Sequence, residues 1–465
     1  MDPVAPANHE LKRELRLWDL VPMQILLVVG ITWAGIAARQ GGTHVFFWVV
    51  AVLTLFIPTA AVVMFCVRLW PEEGGVYSWT RNAFGPFAGF MSGWNFALWA
   101  LLTVSNIGII TATSLSYGLG PSAAWMTDSH ALVVWLSAGL FGLILIINLF
   151  GFGIGKWVSH FGTAVMVLVT FLLILLLFFH PHATAAHPHV SPQKPFLFGL
   201  PLLTLLSLNL FSKISFNALT GLEQVAVFAG ETKDPARAIL RSAWIAAPLI
   251  VLIYVLMTGS ILTYIPMDQV DLTGPVPQIL SAAFSGGSSS GLDVGLLLGR
   301  GAILALAVAL VAQYAVIVAE TSRLPLVAGW DGILPAWFTR LHPRWGTPTR
   351  AIVVIVGASM VAALLATSGA GKQEAFQLIV TSGNLLYGVY YLMMFAIPLF
   401  VGARFWMKVA AVSGFLVSLL AMGFNLVPIV AVANAWVFAG KVVGAALFLN
   451  LVGMGVYWRG TRGRG

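Results

Sequence analysis

Apolar residues run along this chain in long blocks separated by short polar stretches, and the length of those blocks sets the first expectation. Val45 to Val63, Thr163 to Phe179 and Ala302 to Val318 each approach the roughly 20 apolar residues that a helix needs to cross ~30 Å of hydrocarbon. The pattern predicts twelve such spans, at about residues 18–38, 45–68, 86–116, 131–149, 156–179, 198–229, 240–264, 300–321, 349–367, 374–401, 405–427 and 434–458. The longest polar connections, 181–195 and 265–299, leave no room for a water-soluble domain. The second of these carries Pro275 and Pro277, then Gln278 to Phe284 as a short predicted helix, then the Ser/Gly run Ser285 to Gly291, an order expected of a lid. The chain therefore reads as an all-α polytopic membrane protein.

Composition sharpens the picture. The chain is 59% apolar and 9% charged, where a soluble domain has roughly 45 to 50% and about 25%. So little charge cannot cover a water-facing surface. The first block begins near residue 18, behind Lys12, Arg13 and Arg16, and leads into further blocks without a small-residue cleavage site, so no removable signal peptide is expected. The single cysteine, Cys66, lies inside an apolar run, which excludes disulfides and a cysteine metal centre as organising features. A formal net charge of +8 raises the question of nucleic acid, and the distribution of that charge answers it. With the N-terminus placed in the cytoplasm, eighteen of the 24 lysines and arginines fall on the cytoplasmic side. Only Arg39, Lys194, Arg300 and Lys372 fall outside. That is the positive-inside bias, so both termini are expected in the cytoplasm, the partner is the bilayer of the plasma membrane, and no nucleic acid is implied.

Two spans are locally weak as helices. The first carries Gly30-Ile31-Thr32-Trp33-Ala34-Gly35 and the sixth carries Phe216-Asn217-Ala218-Leu219-Thr220-Gly221. Glycine costs about 1 kcal/mol inside a helix, and β-branched and Asn residues add smaller penalties. The two are the first helices of successive five-span units, and interrupted spans at corresponding places mark the binding site of an inverted-repeat transporter. A broken helix exposes N–H groups on one half and C=O groups on the other. Amides near Trp33, Ala34 and Gly35 then suit a carboxylate, and carbonyls around Phe216 to Leu219 suit an ammonium. The plain alternative is that the glycines only let helices pack closely.

Three further segments resemble a known family. Pro71-Glu72-Glu73-Gly74-Gly75-Val76-Tyr77-Ser78-Trp79 with Ala83-Phe84-Gly85-Pro86 looks like the segment after span two in the amino acid, polyamine and organocation superfamily of permeases. Gly221-Leu222-Glu223 followed by Gly230-Glu231-Thr232-Lys233-Asp234-Pro235-Ala236-Arg237 resembles the signature that leaves its sixth span. Ser322-Arg323 with Gly329-Trp330-Asp331-Gly332-Ile333-Leu334-Pro335 and Gly346-Thr347-Pro348 resembles its loop after span eight. The resemblance implies the leucine-transporter fold, a 5+5 inverted repeat with helices one and six broken at the substrate. The repeats are expected at 18–179 and 198–401, two peripheral helices at 405–458, and cytoplasmic segments at 1–17 and 459–465. It also implies carriage of amino acids or amines by proton symport, sodium symport or exchange. The substrate carboxylate would then meet the backbone at Thr32 to Gly35 and the amine that at Phe216 to Thr220. This sequence departs from the family in placing Trp33 where many relatives have a small residue and Asn217 where they have an aromatic gate. Met166 stands where some proton-coupled relatives have a lysine filling a sodium site.

Ionisable groups inside spans are few, and each costs a few kcal/mol unless it faces a cavity or a partner. Glu223 is the candidate for proton coupling, the other reading being a glutamate that braces the broken helix. Lys213, four residues before Asn217, is a candidate gate, or else a lysine that snorkels to the interface. Glu320 and Arg323, three apart, are expected to pair on one helix face. Asn106, Gln313, Tyr314, Asn384 and Tyr387 either line the pathway or bond between helices. The histidines His180, His182, His187 and His189 lie among Pro and Ala without metal-ligand spacing, so no metal or other cofactor is expected. The residues point to a secondary active transporter of small molecules, most readily neutral amino acids, with a polyamine or organic-cation carrier as the alternative. A channel lacks its rings of charge. An enzyme lacks a convergent nucleophile, base or metal set.

Overall fold

A segment crossing hydrocarbon must satisfy its own backbone N–H and C=O groups, which leaves helices as the economical solution for blocks of this length. The computed structural model describes residues 14–70, 74–178, 194–284, 294–327, 333–335, 337–367, 372–429, 432 and 434–462, and within these the chain is helix after helix. The histidine cluster, Pro71 to Glu73, Gly329 to Gly332 and the run Ser285 to Gly291 lie outside the described residues. Among the described residues nine helices are long and apolar enough to cross a membrane, and the bent pair Leu17–Val28 and Thr32–Ala38 makes a tenth. The predicted twelve rests on two segments beyond that test. One is the shorter apolar helix Thr349–Leu365; the other is the interrupted run of Leu205–Ala218 and Gln224–Glu231, which no single helix crosses.

The spans keep their sequence numbers below. Span eight, Val294–Val327, lies at the centre: 72% of its apolar window is buried, against 22% for spans eleven (Phe405–Asn425) and twelve (Ala435–Arg462), which are therefore peripheral. Span eight packs on span three (Pro86–Leu119) and span five (Phe152–Leu176), and span ten (Lys372–Phe400) packs on spans three and eleven. Span one lies against span seven (Pro235–Tyr264) and span five. On the outside Trp135, Phe171, Leu416 and Phe448 are each more than half exposed, which suits a surface solvated by lipid tails.

The first and last described segments of the chain pack against the connections that follow spans six and eight. Leu15 bridges Thr232, with its N–H on the Glu231 carbonyl (2.9 Å) and its carbonyl taken by Lys233 N–H (2.9 Å). Gly460 packs on the backbone of Ile333, just past span eight. After span seven the chain returns through the helix Pro275–Phe284, three residues longer at its start than the 278–284 expected. Pro275 and Pro277 fit its first turn because no N–H partner is needed there. This helix presses on span one: a Cβ on Gly35 would fall 2.4 Å from the Cβ of Pro275. Gly35 is thus a packing glycine, and the close-packing alternative holds at that position.

Candidate substrate-binding site

Span one breaks after Val28, with Val29 and Gly30 extended and the helix resuming at Ile31. The two halves are bent by 50°. The break falls earlier than the 31–35 expectation. Trp33 N–H already bonds the Gly30 carbonyl (3.1 Å), and Ala34 and Gly35 enter the helical ladder, so the amides at the open end belong to Ile31 and Thr32. Two side chains from distant spans hold the gap. The Tyr254 hydroxyl donates to the Val28 carbonyl (2.7 Å) and accepts from Gly30 N–H (2.8 Å), tying both lips together. Gln313 of span eight donates its amide to the carbonyls of Leu26 and Val29.

Span six stops at Ala218, and Gly221, at φ +110°, turns the chain into the short 3-10 segment Gln224–Glu231. Such a φ favours glycine. The Thr220 hydroxyl takes the Phe216 carbonyl (2.5 Å), so that carbonyl is already engaged. Glu223, fully buried, pins the break: it accepts from Tyr387 (2.5 Å), Tyr391 (2.5 Å) and Gly221 N–H (3.2 Å). Gly221 N–H also reaches the Tyr391 hydroxyl at 3.0 Å, and Gln224 donates to that of Tyr387 at 2.9 Å.

The two breaks face one cavity of about 100 Å³. Of the predicted residues Thr32, Trp33, Asn106, Asn217 and Thr220 line it, beside Gly30. Asn106 sits where span three itself is interrupted, between Pro86–Ser105 and Ile107–Leu119. Ala34, Gly35, Phe216, Ala218 and Leu219 do not line it. Phe216 turns its ring instead onto Tyr387 and Tyr391, at 5.8 and 5.5 Å. Gln313, Tyr314, Asn384 and Tyr387, singled out as polar residues in apolar spans, all reach the cavity. Gln313 and Tyr387 also bond between elements, so lining and bracing are one role there. Trp99, Thr103 and Gln224 add to the polar and aromatic wall, and the Trp99 ring stacks on Tyr387 at 4.1 Å. Sequence reasoning missed these three and both tyrosines Tyr254 and Tyr391. An aromatic or a glutamine in an apolar run carries no mark of where it points. None of the described residues lining the cavity is charged.

The charged candidates sit one layer back. Lys213 is 3% exposed and does not snorkel; its ammonium donates to Asn425 at 3.4 Å, and the same oxygen accepts from the cavity residue Asn384 at 3.2 Å. The expected Glu320–Arg323 pair does not form. Arg323 turns to Glu231 (2.9 Å), leaving Glu320 buried without it. Among the described residues no group of three or more His, Cys, Asp or Glu is placed to hold a metal.

Two helices broken at facing points and braced by other spans define a class, a membrane transporter of the leucine-transporter fold. MhsT, solved in complex with L-phenylalanine, shares that fold with a TM-score of 0.62 at 14% identity, over 90% of this chain and 99% of its own. The sequence then names the family: residues 15–457 match the amino acid permease family, and the chain belongs to it. An uncharacterised transporter of Legionella pneumophila is 26% identical over 77% of this chain and 74% of its own. The low-affinity putrescine importer PlaP of Escherichia coli is 26% identical over 74% and 69%, and the branched-chain amino acid permease BcaP of Bacillus subtilis is 25% identical over 75% and 74%.

Proposed function

We propose that this permease is a secondary active transporter of neutral amino acids, working by alternating access and coupled to protons or to exchange. The observation that carries the reading is the cavity itself. It joins the amide end of a broken span one to the carbonyl end of a broken span six, and none of the described side chains lining it is charged. A zwitterion can be held there by opposed backbone dipoles, its carboxylate at Ile31 and Thr32 and its ammonium at the span-six carbonyl of Asn217. Trp33, Trp99 and Tyr387 would close around the side chain. BcaP, by name a branched-chain amino acid permease, supports the substrate class.

Gln313 supports the coupling. Sodium is bound by oxygen ligands, including neutral carbonyls. The two carbonyls released by the break, at Leu26 and Val29, already accept from the Gln313 amide. On the charge bias of the sequence we take the termini to be cytoplasmic, and we take the membrane to be the plasma membrane of a bacterial cell, as the relatives named above are bacterial. We take 18–179 and 198–401 as the two repeats. The alternative, a polyamine or organic-cation carrier, is favoured by one relative, the putrescine importer. The test is thermal stabilisation of the purified protein by the twenty amino acids and common polyamines, with and without sodium, since a ligand at about 100 times its Kd adds about 2.7 kcal/mol. Stabilisation by a few neutral amino acids, equal in sodium and in potassium, is expected. Stabilisation by diamines alone would replace the reading with the alternative.

A further inference from the structure

Glu320 has no place in the account above. It is fully buried in span eight, and neither of its carboxylate oxygens has a hydrogen-bond partner among the described residues. Every other carboxyl of that region is held. Glu223 accepts from two tyrosines and a backbone amide, and Glu231 is paired with Arg323. Glu320 stands one turn past the cavity residue Ile317, and its helix neighbours Ala319 and Arg323, one on either side of it in the chain, line a second, smaller cavity of about 30 Å³ with Lys156 and Ser159 of span five. Span eight packs on the 3-10 segment Gln224–Glu231 that follows Glu223, and Arg323, one turn on from Glu320, pairs with Glu231 there, so the Glu223 and Glu320 carboxyls share one buried region.

Two carboxylates so placed do not both stay charged in a low-dielectric interior, and a shared site of this kind holds one proton. Which group holds it follows from the partners. An ionised carboxylate accepts hydrogen bonds and donates none. Glu223 is surrounded by donors, whereas a charge on Glu320 would be buried without one, at a cost of several kcal/mol. We infer that Glu320 is the proton-carrying carboxyl of the transport cycle, and that Glu223 is the hydrogen-bonded carboxylate that braces the span-six break beside it. In each cycle one proton adds to a Glu320 oxygen from water reaching it through the substrate cavity. It leaves from the same group to water on the Lys156 and Arg323 side, and no other bond is made or broken. The other ionisable groups around the route are the tyrosines Tyr387 and Tyr391, the Glu231–Arg323 pair, Lys156, and the His160–Asp19 pair (3.0 Å) between spans five and one. Both pairs are closed and Lys156 lines the second cavity, whereas Glu320 is the buried carboxyl of which neither oxygen has a hydrogen-bond partner among the described residues.

The inference rests on the proton-coupled reading, and one experiment separates the two. The full-length protein is reconstituted in liposomes that enclose a pH-sensitive dye, and L-alanine and L-leucine are offered outside. Wild type is expected to acidify the lumen as it takes up amino acid and to accumulate it under an inward proton gradient. Glu320→Gln is expected to lose both while still exchanging internal for external labelled amino acid. Glu223→Gln is expected to lose exchange as well, because the brace is gone. Acidification by Glu320→Gln at the wild-type rate overturns the assignment and leaves proton coupling standing. Uptake by wild type with no acidification overturns both. Should Glu320→Gln fail to fold, infrared difference spectra of wild type and Glu320→Asp with and without L-leucine decide: a protonated-carboxyl band that changes on binding and moves in Glu320→Asp supports Glu320, and a band that stays at the wild-type position, or no such band in wild type, refutes it.

Discussion

The hydroxyl of Tyr254 offers the cleanest test of how the span-one break is held. Tyr254→Phe removes one oxygen and leaves the ring, which stacks on Trp48 at 4.9 Å, in place. What is lost is the donor to the Val28 carbonyl (2.7 Å) and the acceptor for Gly30 N–H (2.8 Å). Leaving a buried polar group unsatisfied costs about 1–3 kcal/mol, and two groups are orphaned here. Val28 and Gly30 both border the cavity, where water can reach them, so the lower end applies to each and the total is about 2 kcal/mol. If the two lips must be aligned for the amides of Ile31 and Thr32 to meet a carboxylate, that energy appears in binding as a roughly 30-fold rise in Kd. Binding of labelled L-leucine to wild type and variant in detergent measures it, alongside a melting curve. A variant with wild-type Kd and a lowered melting temperature would show that Tyr254 supports the fold and not the site. A variant unchanged in both would refute the reasoning.

Other positions give further expectations. Trp33→Ala opens the wall of a cavity of about 100 Å³ and shifts preference toward bulkier side chains, read as a rise in the ratio of L-tryptophan to L-alanine uptake. Gln313→Ala frees the carbonyls of Leu26 and Val29, so sodium, without effect on wild type, now raises the melting temperature of the variant while potassium does not. Gly35→Ala drives a methyl to within 2.4 Å of Pro275 and lowers stability by about 1–3 kcal/mol, seen as a loss of folded protein on heating.

Much of the fold was legible because hydrocarbon imposes a coarse rule. A block of twenty apolar residues has one structural outcome, and the blocks of this chain meet it at spans two to five, seven, eight and ten to twelve, with Thr349–Thr367 of span nine shorter. The breaks were legible for the opposite reason: Gly30, Gly221 and the residues beside them are poor helix formers where the environment demands a helix. Their register was not. The sequence placed the first break at Gly30 to Gly35, but Gly35 is glycine to admit Pro275, a contact from 240 residues away in the chain. Partner choice was equally hidden. Local spacing paired Glu320 with Arg323, and tertiary packing gave Arg323 to Glu231. Tyr254 and Tyr391 look like any other aromatic in an apolar run until the fold points their hydroxyls at Val28 and Glu223.

The central claim is that both ends of a zwitterion are held, one at each break. Uptake of labelled L-leucine into liposomes, challenged with unlabelled L-leucine, L-leucinamide, N-acetyl-L-leucine and putrescine, tests it most directly. The account predicts competition by L-leucine alone, because the amide lacks the carboxylate and the acetylated form lacks the ammonium. Competition by L-leucinamide and putrescine as strong as that of L-leucine would contradict it, since the carboxylate site at span one would then do nothing.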